Sequence, residues 1–150
     1  MNRRGVTFPE LLMIATMFGC VVALSGPKRA DLKRRAVAAQ VVADVDAVKK
    51  ATVRFYADSG YFPRETPGGT IPQNLDRYLP QGFAFTKNGW TLDYDRWSRK
   101  SPSVHIKTPT QIGVSVTIVD AKVGVAAMAA YGNQSKFSFG NKYTFMIVGL

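Results

Sequence analysis

The sequence predicts an α+β fold: one long N-terminal helix, membrane-spanning in its first half, packed by its second half on a small antiparallel β-sheet. Three observations predict it. An apolar run, Val6 to Gly26, carries a single charge, Glu10. Beyond Pro27 a stripe formed by Val37, Val41, Val45, Val48, Thr52 and Phe55 recurs at spacings of three and four, the period of a helix with one buried face. After Pro63, Gly and Pro punctuate short segments with two-residue alternation, the pattern of half-buried strands.

At a rise of ~1.5 Å per residue, the run from Val6 to Gly26 is about 31 Å long as a helix, one membrane crossing. Arg3 and Arg4 precede it, and Lys28, Arg29, Lys33, Arg34 and Arg35 follow it, so seven of the 20 basic residues flank one hydrophobic segment. Cations there set topology or face lipid headgroups, which accounts for part of the net charge of +10. Two simpler readings compete. A secretory signal peptide would use Ala23-Leu24-Ser25 as its cleavage site, but Pro9 and Glu10 interrupt the apolar stretch such a peptide needs. A plain anchor gives no reason for a carboxylate within the span, where a central charge costs roughly 2.5 to 3.5 kcal/mol.

Past Pro27 the helix continues with its apolar stripe inward, while Asp46, Lys50 and Arg54 follow one another at four-residue steps on a solvated face. Gly60 ends it and Pro63 prevents its resumption. Residues 64–82, rich in Gly and Pro, form a loop around a short helical turn at Asn74 to Leu79. Strands are expected at Gly82 to Thr86 and Trp90 to Tyr94, joined at Lys87-Asn88-Gly89, then at Ser103 to Lys107 and Gly113 to Val119. Asp120 caps a helix running through Ala129, and Tyr143 to Val148 makes a terminal strand. The sheet then has four or five strands.

The segment Arg3-Arg4-Gly5-Val6-Thr7-Phe8-Pro9-Glu10-Leu11-Leu12 resembles the prepilin cleavage and methylation motif of type IV pilins and the pseudopilins of type II secretion. Gly5 matches the leader glycine after which the family's membrane peptidase cuts, Val6 the methylated new N-terminus, and Glu10 the glutamate at the fifth mature position. Val6 stands where the family usually has Phe, and Pro9 where it has an aliphatic residue. Gly19 and Pro27 stand where many type IV pilins carry helix-weakening residues; Gly costs about 1 kcal/mol inside a helix, and Pro removes a backbone hydrogen bond. The phrase Tyr56-Ala57-Asp58-Ser59-Gly60-Tyr61-Phe62-Pro63 is similar to the way pilins leave their first helix.

The resemblance implies a leader at 1–5, a transmembrane and polymerisation helix at 6–26, its amphipathic continuation at 27–61 and a β-rich globule at 62–150. It implies a structural filament subunit, inserted in the inner membrane before assembly and periplasmic or extracellular afterwards. Its partners would be other pilin subunits, the prepilin peptidase, the inner-membrane assembly machinery and membrane lipid.

No catalytic constellation is expected, so the chain is read as no enzyme. His105 is the sole histidine and stands in no motif. Cys20 is the sole cysteine, which excludes an intramolecular disulfide and a cysteine-based zinc site. Asp93 and Asp95 share one strand face, where a cation or, more plainly, Arg96 and Arg99 would meet them. No phosphate-binding Gly loop or metal-ligand spacing occurs, and neither cofactor nor metal is expected. The rival function is a membrane-anchored or minor-pilin module that binds DNA or another anionic surface through Arg96, Trp97, Arg99 and Lys100. The plainer reading of that stretch, and the preferred one, is a solvated loop whose Trp97 tucks back onto the sheet.

Overall fold

In the computed structural model of the chain, the described residues are 7–97, 111–132 and 136–148, with the side chains of 20–28 and of Val148 outside the description. The class is α+β: among the described residues there are two α-helices, one 3-10 turn and a five-stranded antiparallel sheet. The expected leader, with Gly5 and Val6, and the strand expected at Ser103 to Lys107 lie outside the described residues. Two compact units divide between Arg34 and Arg35.

Helix α1, Phe8–Ser59, runs through both Gly19 and Pro27. Pro27 has no N–H to offer the preceding turn, yet its fixed φ suits a helix and neighbouring bonds keep the backbone helical. The helix stops where Gly60 turns to a φ of +75°, a left-handed conformation costly for other residues. The Gly60 N–H donates to the Tyr56 carbonyl at 2.8 Å and so closes the last turn.

The unit beginning at Arg35 owes its core to the predicted stripe. Val41, Val45, Val48 and Thr52 are fully buried and Phe55 nearly so, while Val37 is partly covered at the stripe's start. Each fully buried Val contributes roughly 1.5 kcal/mol or more relative to exposure. Thr52 escapes the penalty of a buried hydroxyl by donating to the Val48 carbonyl at 2.8 Å.

The sheet order is β1 (Thr86–Lys87), β2 (Trp90–Trp97), β3 (Gln111–Ile118), β5 (Lys142–Val148) and β4 (Lys136–Phe139). Several boundaries differ from the sequence expectation, among them β3, which starts at Gln111 rather than Gly113 and ends at Ile118. The first hairpin turns on Asn88-Gly89 alone, since Lys87 pairs with Trp90. The residues expected as a strand from Gly82 therefore shrink to a two-residue edge, because Phe83 N–H is spent on a turn to Pro80. Strand β2 extends to Trp97, and strand β4 was not expected at all; a two-residue Gly140-Asn141 turn joins it to β5.

Alternation sends Trp90, Leu92, Tyr94, Val114, Val116, Tyr143 and Phe145 toward the core. Helix α2, Ala121–Ala130, covers part of the same core. Its N-cap Asp120 accepts from the Lys122 N–H at 2.9 Å, as expected. Just past its far end the Lys136 ammonium donates to the carbonyl of Met128, one of the last-turn acceptors a helix leaves unpaired, and to that of Gly132 in the turn that follows. Gly124 lets the Tyr143 ring lie against the helix backbone: a Cβ there would sit 2.1 Å from that ring.

Candidate assembly site

The start of α1 is built by four consecutive residues. Thr7 is the residue just before the helix, and its backbone N–H and side-chain hydroxyl both reach Oε2 of Glu10, each at 2.8 Å. Glu10 is the third helical residue, so the pair has Thr-x-x-Glu capping-box spacing and forms the half of the box in which the Glu carboxylate accepts the N-cap N–H. Pro9 falls in the first turn, where its missing N–H would have no helical partner anyway. The carboxylate therefore has a local task in starting the helix, which the sequence reading overlooked although the spacing is legible.

From that point the helix presents apolar side chains outward. Phe8 is 79% exposed and Phe18 70%, with Leu11, Leu12, Met13, Ile14 and Met17 exposed between them. These positions run round the cylinder instead of forming one stripe. A helix hydrophobic on all sides needs an apolar surrounding, either lipid or other helices. Gly19 is exposed, and a Cβ there would meet nothing within 4 Å. Among the described residues no helix is long and apolar enough to cross a membrane. The second part of the expected span, Cys20 to Gly26, has its side chains outside the description.

The second candidate surface does not assemble as the sequence suggested. Arg99 and Lys100 lie outside the described residues, as does His105. Arg96 and Trp97 are consecutive in β2, so their side chains leave on opposite faces. Trp97 is in a strand rather than a loop, and it does tuck back: a side chain at Gly113 would sit 2.9 Å from its ring, and the Phe137 ring lies 6.2 Å away.

Asp93 and Asp95 also find partners other than those expected. Lys142 of β5 pairs with Asp93 at 3.0 Å and with Asp95 at 3.5 Å. Asp95, 8% exposed, accepts from the buried Ser115 hydroxyl, which in turn meets Thr144 Oγ1 at 2.8 Å. Burial pushes the Lys142 ammonium toward neutrality, but the two carboxylates outweigh it and its pKa is raised. The ammonium thus stays charged and ties β5 to β2.

A second buried carboxylate, Asp44 of α1, was missed in the sequence. Lys87 Nζ donates to its two oxygens at 2.7 and 2.8 Å, and Trp90 Nε1 donates at 3.0 Å. The same ammonium lies 4.8 Å from the centre of the Phe83 ring. A shallow depression along Asp46, Lys49, Lys50, Val53 and Arg54 follows the charged face predicted for α1. No group of three His, Cys, Asp or Glu side chains placed to hold a metal occurs among the described residues. The chain matches no protein-family model, no curated protein and no solved structure.

Proposed function

We propose that this chain is a structural subunit of a type IV pilus or pseudopilus-like filament. On this reading it is held in the inner membrane, cut after Gly5 by a prepilin peptidase and polymerised through the first half of α1. One observation carries most of the weight: the helix surface from Phe8 to Phe18 is apolar on every side and exposed, and it begins at a carboxylate fixed by Thr7. In a bilayer, lipid covers that surface; in a filament, neighbouring helices do, and subunits pass from one apolar surrounding to the other.

Within this reading Glu10 guides docking. Both Thr7 bonds use Oε2. Oε1 accepts neither of them and on this reading meets the amine of Val6 on an adjacent subunit; at an effective dielectric near 20 a charge pair at 4 Å attracts by about 4 kcal/mol, less the cost of desolvation. The rival binding of an anionic partner at 96–100 has less behind it, because Arg96 and Trp97 face opposite ways. The test is N-terminal peptide mass spectrometry on sheared, pelleted material. A chain starting at Val6 is expected; a start at Gly26, or an intact Met1 in assembled material, overturns the reading.

A further inference from the structure

The unit ending at Arg34 carries a second exposed surface beyond the apolar one. Arg29, Leu32 and Lys33 stand at positions i, i+3 and i+4 of α1, one side of the helix, and all three are exposed, Leu32 by 64%. Arg34, in the next position, pairs with Asp31 at 3.2 Å. In the sequence, Lys28 and Arg35 complete a run of basic residues in which Asp31 is the only acid. A leucine between two cations fits the headgroup layer, where aliphatic groups dip toward the acyl chains and cations reach phosphates. Position along the helix agrees: from Phe8 to Arg29 the axial rise is about 31 Å, the thickness of a hydrocarbon core.

We propose that the Arg29–Leu32–Lys33 face binds the phosphodiester headgroups of anionic lipid in the leaflet opposite the leader. The inference rests on the membrane reading above and adds to it the lipid class and the residues that select it. Charge complementarity sets the occupant: a neutral headgroup offers the cations no net attraction, whereas each Lys or Arg near an anionic surface strengthens binding about fivefold. Removing Arg3 and Arg4 with the leader would leave this collar as the main electrostatic hold on the subunit, fixing its depth until a filament takes it up.

The experiment partitions the full-length chain between buffer and two vesicle types, pure phosphatidylcholine and a mixture with phosphatidylglycerol. Wild type is compared with Arg29→Gln/Lys33→Gln. Stronger partitioning into the anionic vesicles is expected, weakened by salt and reduced about 25-fold in the double variant, a factor of about five for each cation, with partitioning into phosphatidylcholine unchanged. Equal partitioning of wild type into both vesicles, or an anionic preference undiminished by the double substitution, overturns the collar and leaves the membrane reading standing. Failure to enter either vesicle overturns both. A photoreactive diazirine at position 32 separates the sources: lipid adducts are expected, and adducts with a second copy of the chain or with added DNA would overturn the assignment.

Discussion

Thr7 gives Glu10 two hydrogen bonds on a single oxygen, Oε2, one from the backbone N–H and one from the hydroxyl, both 2.8 Å long. Removing the hydroxyl and removing the carboxylate charge should therefore have different consequences. Thr7→Ala keeps the backbone bond and loosens only the carboxylate's orientation, while Glu10→Gln keeps an acceptor and deletes the charge. Both variants should insert, be cut and fold beyond Pro27. Glu10→Gln should sharply lower the ratio of sheared-filament to membrane protein, and Thr7→Ala should lower it less. Equal ratios for wild type and Glu10→Gln would leave the carboxylate with helix capping alone.

The same substitution should have opposite signs at two glycines. At Gly19, where a Cβ meets nothing, Ala should stabilise α1 by about 1 kcal/mol. At Gly124 the added carbon would overlap the Tyr143 ring, so Gly124→Ala should destabilise the globule by about 1 to 3 kcal/mol. Thermal unfolding of the full chain in detergent reads Gly124→Ala, and helicity on heating reads Gly19→Ala. If Gly19 serves to let the helix stretch, Gly19→Ala also lowers filament yield despite the firmer helix.

Asp44 holds Lys87 and Trp90 against α1, and its loss leaves a cation and an indole N–H without their acceptor. Asp44→Ala should cost about 2 kcal/mol. That is below the ~3 to 5 of a fully buried pair, because the Lys87 side chain is 31% exposed and water screens part of the loss. Asp44→Asn, which keeps an acceptor for the indole, should cost less. Denaturant midpoints at constant slope measure both.

Tyr94 is wholly buried, its hydroxyl finds no partner among the described residues, and burial raises its pKa. An acid whose folded pKa is raised adds stability below its unfolded pKa and loses it as pH climbs from there toward the folded value. Lys142, also raised, acts in the same direction. Stability should fall above pH ~10, the unfolded tyrosine value. Tyr94→Phe should be close to neutral at pH 7, since no bond is broken. Above pH ~10 it should lose less stability than wild type, and parallel pH curves for the two proteins would refute the assignment.

Much of this architecture is legible in the residues themselves. The three-four spacing from Val37 to Phe55 gave the buried face of α1, and Asp120 and Gly60 gave helix boundaries, because each is a local rule with a local cause. Strand β4 escaped notice because Lys136 to Phe139 is short and its alternation puts Phe137 and Phe139 outward. Asp44 was illegible for a different reason. Inside a helix it reads as one more surface charge, and its partner Lys87 is 43 positions away, brought near only by the fold. Lys142 likewise meets Asp93 and Asp95 only across the strand between them. Thr7 and Glu10 differ again: their capping-box spacing was plain, but the family resemblance drew attention to Glu10 as an assembly residue first.

The tie from Lys142 to Asp93 and Asp95 passes over β3, which is paired on one side with β2 and on the other with β5. Ser115, at the middle of β3, is meanwhile held by Asp95 and Thr144 from the two flanking strands. Neither flank can peel away without breaking both its ladder and an ion pair or hydroxyl contact. The middle strand has no cheap partial opening, so its amide protons can leave only when the whole globule comes apart. Among the described residues, the backbone groups of Val114 to Val116 will keep their hydrogens longest in heavy water, and their exchange rate will report the lifetime of the entire folded unit.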